Sequence, residues 1–432
     1  MVKTHKNFWE IVEATQEFIS SHYAQLLYDS KQKEQLKPYI ENFLYNQGYE
    51  VEGFTNTELT NKIFRELAEF SILTDYLVAD YLEEININAW NDIALTYLDG
   101  SIHKAPVHFN SPAHAMSIVR RLLECSDTVI DDSSPMAQGH LPNNSRITVL
   151  KPPIVDEERA VSASIRILRP AKFDVNELVR TGMATPEIID FLTLCMNYGV
   201  STVVSGKTSS GKTTLLNALL ETVPNDKRIF TIESGARELY LVREQEGSIA
   251  NNVVNTLSRP ASDAKYEISQ EDLVIASLRF NPDIVCIGEM RNVEAYSAVE
   301  ASLTGHTVVS TIHSSTASVA HTRLALLCQK RFPIEFQTSL TQACLAFPLV
   351  IYTHLLENNE RKIMDISECE ILPNGECKYN PLYRYHITKN IFEDNQHIIE
   401  GHFERVNPIS KSLAAKLLQF GAPMQEIAKY SK

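Results

Sequence analysis

The chain has 432 residues, which at roughly 150 residues per domain predicts about three domains, with cores large enough to need no disulfide or metal staple. With 44% hydrophobic and 22% charged residues, the composition is globular and excludes a disordered chain. Lys plus Arg is 40 and Asp plus Glu is 54, a net charge of −14, which excludes a general nucleic-acid binder unless one face is locally basic.

Residues 1–73 read as a small helical domain. Leu36, Tyr39, Ile40, Phe43 and Leu44 recur at helical spacing, as do Leu59, Ile63, Phe64, Leu67 and Phe70. Thr55 followed by Glu58 has the pattern of a capping box, and GYEVEGF separates the two helical stretches. The opening MVKTHKNFWEIVE lacks the apolar core of a signal peptide. The longest apolar stretch, ACLAFPLVIY, is too short to span a bilayer and contains Pro348. The expected location is therefore cytosolic, with any membrane contact peripheral or through a partner.

Residues 74–180 read as an α+β domain and linker. EEININAW, IALTYLDGSIHK, SRITVLKP and ERAVSASIRILRP are short strand-like runs. Turn residues lie among them at Asn91-Asp92, Asp99-Gly100 and Asn143-Asn144. A helix from Pro112 to Cys125 interrupts the strands, and KPPIVDEE is a loop. Residues 181–355 alternate apolar runs (VSTVVS, RIFTI, DIVCI, HTVVSTI) with helices, the pattern of a parallel sheet. Residues 356–432 read as hairpins and a final helix from Ser410 to Phe420.

The seven cysteines are scattered, with no C-x-x-C pair, and Cys369 and Cys377 look too isolated for a metal site. Reduced, buried thiols are the expectation.

Chemistry concentrates after the run VSTVVS. Gly206, Lys207, Thr208, Ser209, Ser210, Gly211, Lys212 and Thr213, with Thr214 after them, fit G-x-x-x-x-G-K-[ST] between a strand and a helix. Glycines let backbone N–H groups line a concave phosphate cradle, and the helix N-terminus adds its dipole. Lys212 is then expected to reach the β- and γ-phosphates and the Thr213 hydroxyl to bind Mg²⁺. Parallel strands end on one side, where ligands bind. RIFTI ends at Glu233, DIVCI at Gly288-Glu289 and HTVVSTI at His313. Glu233 is the candidate for polarising water. Glu289 is the candidate for contacting Mg²⁺ through water, taking the place of the usual strand-end Asp, or else it pairs with Arg291. His313 is placed to contact the γ-phosphate.

GKTSSGKT, TIESGAREL, LRFNPDIVCIGEMR and GHTVVSTIHSSTA resemble, in order and spacing, the Walker A, Asp, Walker B and His boxes of the secretion ATPase superfamily. DDSSPMAQGHLPNNSRITVLKPP, SASIRIL and GHFERVNPISKSLAAKLLQFGAP resemble segments of its tight-adherence (Tad, CpaF-type) pilus branch, extending the likeness to roughly residues 74–432. The resemblance implies an α/β fold: a C-terminal RecA-like P-loop ATPase domain behind an α+β, PAS-like domain and a small leading helical domain.

The resemblance also implies a homo-oligomeric ring, usually a hexamer, that hydrolyses ATP with Mg²⁺ at the inner face of the cytoplasmic membrane. The implied partner is a membrane platform protein of a pilus or secretion system, with no direct nucleic-acid contact. Arginines before the ATPase domain would reach the γ-phosphate; Arg146, Arg166 and Arg169 occupy suitable positions, with Arg166 the best match. Arg279 and Arg291 also match the pattern. The Asp box departs from it, with Glu233-Ser234 where Glu-Asp is usual and a second glutamate one residue late at Glu238, so Glu238 rivals Glu233. The phosphate loop has Ser209 where a glycine is frequent, and no tetracysteine zinc motif is present. The implied function is an ATPase motor for assembly of a Tad or type IV-like pilus. The alternatives are a type IV secretion or conjugation traffic ATPase, and a nucleotide-gated scaffold that does not hydrolyse.

Overall fold

The computed structural model describes residues 4–5, 7–28, 32–126, 128–141, 145–167, 173–259, 266–394 and 396–432. The Asn143-Asn144 turn and Arg169 lie outside them. The chain divides into two compact units, Met1–Leu168 and Arg169–Lys432.

The first unit opens with helices. These are α1 (Phe8–His22), α2 (Ala24–Tyr28), α3 (Leu36–Gln47), α4 (Asn56–Ala68) and α5 (Leu73–Val78). Two short parallel strands, β1 (Thr4–His5) and β2 (Tyr49–Glu50), accompany them. Leu36, Ile40 and Leu44, one helical turn apart on α3, pack with Ile11 and Ile19 of α1 and with Leu59 and Ile63 of α4. The capping box forms as the sequence predicts. Thr55 Oγ1 accepts from Glu58 N at 3.3 Å and a Glu58 carboxylate oxygen accepts from Thr55 N at 2.8 Å.

The same unit contains a six-stranded antiparallel sheet. Its strands are β3 (Leu82–Ala89), β4 (Asp92–Tyr97), β5 (Ile102–Lys104), β6 (Met136–His140), β7 (Arg146–Leu150) and β8 (Ser162–Arg166). They lie in the order β5-β4-β3-β8-β7-β6. Helix α6 (Pro112–Glu124), N-capped by Ser111, falls in the chain between β5 and β6, which makes the arrangement PAS-like. Its Ile118, Val119 and Leu122 share a core with Ile85, Ile147 and Ile165 of the sheet. Strand β6, MAQGH, is too polar to read as a strand, yet its Ala137 and Gly139 face inward in alternation.

The second unit begins with α7 (Val175–Arg180) and α8 (Pro186–Asn197). The nucleotide-loop strand β9 (Thr202–Gly206) leads into α9 (Lys212–Leu220), then β10 (Arg228–Glu233). Next come the short hairpin of β11 (Glu244–Gln245) and β12 (Ser248–Ile249), then β13 (Asn252–Leu257). Alternation resumes with α10 (Gln270–Ser277), β14 (Ile284–Ile287), α11 (Glu294–Leu303) and β15 (Thr307–Ile312). It continues through α12 (Ala317–Gln329), α13 (Phe336–Ala346) and β16 (Leu349–Leu355). The tail is β17 (Arg361–Ile371), β18 (Cys377–Glu393), β19 (Gln396–Arg405), α14 (Lys411–Gln419) and α15 (Met424–Tyr430).

One nine-stranded sheet runs β13-β10-β14-β15-β9-β16-β17-β18-β19. Strands β13 to β16 in that order are mutually parallel, and β17 to β19 add antiparallel hairpins to the same edge. Helices cover both faces of the parallel part. Val204 and Val309 join one core while Val203 and Val308 join the other. The fold is α/β with a RecA-like parallel core. The apolar run ACLAFPLVIY divides at Pro348, where α13 has ended and β16 begins. Among the described residues no helix is long and apolar enough to cross a membrane.

The cysteines correct one reading. Cys125 is exposed, and Cys369 and Cys377 are not isolated. The pairing of β17 with β18 puts Cys369 and Cys377 on one sheet face, and α13 brings Cys344 to Cys369. Sequence spacing hides this because long-range packing creates it.

Candidate functional site

The phosphate loop joins β9 to α9 with an unusual backbone. Gly206 has φ +154°, Ser209 +61° and Gly211 +87°. A Cβ on Gly206 would lie 2.4 Å from the Thr353 carbonyl oxygen, so that position requires glycine. The loop is fixed from β16 and β17. Ser210 Oγ lies 2.9 Å from Thr353 Oγ1 and donates to Lys207 O at 2.8 Å. Arg361 Nε donates to Ser209 O at 2.9 Å. Neither Thr353 nor Arg361 belongs to a recognisable motif, and only the folded sheet brings them here.

Lys212, at the first turn of α9, is buried, and its Nζ donates to Lys207 O at 2.7 Å. Thr213 and Thr214 follow on the same turn, half-buried. Lys212 Nζ also lies 3.4 Å from His313 Nδ1. His313 Nδ1 sits 3.2 Å from Gly206 O, and its Nε2 sits 3.1 Å from a Glu289 carboxylate oxygen. Burial and the Lys212 charge hold the His313 imidazole below the ordinary histidine value, against the pull of Glu289. The second Glu289 oxygen lies 3.4 Å from Arg291 Nε, so the ion pair with Arg291 forms as well.

The register explains how these groups meet. Ile312 pairs with Ser205, Ile287 with Ser310 and Ile232 with Ile287. The ends of β9, β15, β14 and β10 therefore lie side by side, carrying the loop, His313, Glu289 and Glu233 in that order. Glu233 is buried, and one of its oxygens accepts the backbone N–H groups of Glu238 at 2.6 Å and Leu239 at 3.1 Å. Glu233 thereby shapes the loop that carries its rival, Glu238. A Cβ on Gly288 would lie 3.4 Å from Glu233 Cγ. Glycine there leaves room for the Glu233 side chain, and an aspartate would add a like charge beside it.

In the other unit, Arg146 and Arg166 are directly opposed on β7 and β8, and Glu84 opposes Arg166 from β3. Both arginines are half-buried. Like charges directly opposed are unfavourable unless an anion or carboxylate offsets them, and Glu84 stands on that face. Arg279 is exposed, in a single 3-10 turn before β14.

Comparison with known proteins identifies the group. Residues 66–385 match the family described as type II/IV secretion system protein. The chain belongs to the type II/IV secretion system protein family. An uncharacterised protein of Methanocaldococcus jannaschii is 27% identical over 292 residues, covering 67% of this chain and 50% of that one. The chain thus spans about half the length of that relative. The type IV secretion system protein PtlH homolog of Bordetella bronchiseptica is 27% identical over 289 residues, 60% of this chain and 82% of its own. Among solved structures, the DotB ATPase of Legionella pneumophila aligns over 89% of this chain and 90% of its own, at 16% identity and a TM-score of 0.48.

Proposed function

We propose that this family member is a Mg²⁺-dependent ATPase motor. It acts in the cytoplasm, as a ring at the inner face of the membrane, and powers assembly of a Tad or type IV-like pilus. The observation that carries the reading is the cluster at the strand ends: buried Lys212 meets half-buried His313, which meets half-buried Glu289, beside a glycine-shaped loop.

The residues fit a magnesium nucleotide. Two loop residues and Gly206 have positive φ, the backbone a concave phosphate loop requires, and the Gly206 position admits no Cβ. Thr213 offers a hydroxyl at the start of α9, and Glu289 a carboxylate across from it. Bound Mg²⁺ would supply neutralisation of charge on the phosphates. Lys212 would exchange its bond to Lys207 O for phosphate oxygen. Glu233, packed under the loop after β10, is the group proposed to orient the attacking water, with Glu238 its rival. His313, tied to Gly206 and Glu289, would report phosphate occupancy to both neighbours. Arg166, seconded by Arg146, is proposed to complete the charge neutralisation, which in phosphoryl transfer is worth a large rate factor.

The test is phosphate release from ATP and Mg²⁺ beside Lys212→Ala, over a range of protein concentrations. A fall of about 100-fold or more in the folded variant, with wild-type activity rising faster than concentration, is expected. Undiminished turnover in the variant would refute the site. The relatives named for type IV secretion favour a second reading, a traffic ATPase handling protein or DNA cargo. Co-purification with a membrane platform protein and pilin-like subunits would favour the first reading.

A further inference from the structure

Away from the phosphate loop, four side chains converge from four elements. His321 projects from α12, Cys344 from α13, Cys369 from β17 and Cys377 from the start of β18. The ligand atoms of His321, Cys344 and Cys369 all lie within 4.8 Å of one another, and all three residues are buried. Cys377 pairs with Ile371, two residues along β17 from Cys369, so it shares the face of Cys369. It stands at the rim of the three-residue cluster, outside the 4.8 Å that unites the other donor atoms, and is the cysteine the sheet register brings next to Cys369. None of these cysteines is in a disulfide.

The histidine is set up as a ligand. His321 Nε2 lies 2.8 Å from Phe347 O, which can only accept, so Nε2 carries the proton. Nδ1 is left as an acceptor, and the Tyr379 hydroxyl that meets it at 3.1 Å lies 3.9 Å from Cys344 Sγ. A metal-bound histidine is oriented in the same way, by donating its second ring N–H to a backbone carbonyl.

We propose that His321, Cys344, Cys369 and Cys377 form a tetrahedral site for a structural zinc ion. Three sulfurs and one imidazole are a closed zinc donor set. Tetrahedral coordination would space the donor atoms about 3.3–3.8 Å apart, given bond lengths of about 2.0–2.3 Å. The three buried donors, already within 4.8 Å of one another, would draw in to that spacing, and Cys377 would swing in from the rim as the fourth. Tyr379, 3.9 Å from Cys344 Sγ, would turn its hydroxyl from Nδ1 to a coordinating thiolate. The ion would bind α12 and α13 to the β17–β18 hairpin. Helix α12 starts four residues after His313, so the clamp would anchor the segment leaving the nucleotide site to the antiparallel edge of the sheet.

The test is elemental analysis of the full chain purified without chelator. About one zinc per chain is expected, lost by about tenfold or more in Cys344→Ser and Cys369→Ser and kept in Cys125→Ser. Should the buried variants fail to fold, Cys377→Ser at the half-buried rim gives the same readout. Cobalt exchanged into the wild-type protein would then show a thiolate charge-transfer band and tetrahedral d–d bands. Folded protein that retains no metal after incubation with zinc and desalting would overturn the proposal. So would a Cys344–Cys369 disulfide detected by mass, or a cobalt spectrum without thiolate bands.

Discussion

Strand β15 is buried at all of its positions, whereas β7 is buried only at Ile147 and Val149. The difference follows from cover. Helices pack on both faces of the parallel sheet, so its side chains have no open face, and polar chemistry is confined to the strand ends. In the antiparallel sheet alternate residues leave the core, and Glu84, Arg146 and Arg166 stand on that other face along the strands themselves. A functional group in the first case is found by asking where an apolar run stops. In the second it is found by asking which outward positions of the alternation carry charge.

The largest effect that tests this contrast is expected at a strand end. Gly206→Ala would drive a Cβ into Thr353 O, and nucleotide affinity measured by calorimetry should fall below detection. Retained affinity would show that the loop can relax around a methyl group. Next, Val308→Ala and Val309→Ala are adjacent and face opposite cores. Each should cost roughly 2 kcal/mol in urea unfolding, because neither face is open. A neutral result at either position would mean that one side of the sheet is loosely covered. Thr55→Ala removes the capping-box acceptor and should cost about 1 kcal/mol. Smallest is Thr148→Ala, between buried Ile147 and Val149 but itself half-buried, with a change within about 0.5 kcal/mol. A cost as large as that of the valines would erase the distinction between the two sheets.

Much of this was readable in the sequence, for local reasons. Glu233, Glu289 and His313 stand where apolar runs stop, and the runs RIFTI, DIVCI and HTVVSTI are strands with those ends. The Thr55–Glu58 cap and the Asp99-Gly100 turn are signals within four residues. Three things were hidden. Strand β13, NVVNTL, is an edge strand beside β10, half-buried after its first residue, and lacks a strong apolar run. Helix α15 follows Pro423 in a sequence too short for a periodic signal. The contacts of Thr353, Arg361, His321 and the three cysteines depend on pairing and packing between residues distant in the chain, which leaves no local trace.

The bond from Arg361 to Ser209 has a further consequence. The phosphate loop is contiguous in sequence, yet its shape is borrowed. Thr353 dictates the glycine at 206 and holds Ser210, while Arg361 grips the carbonyl of Ser209 from the first antiparallel strand. The motif is therefore not a portable cassette. A fragment cut before β16 would keep every letter of GKTSSGKT and lose the scaffold that gives those letters their geometry.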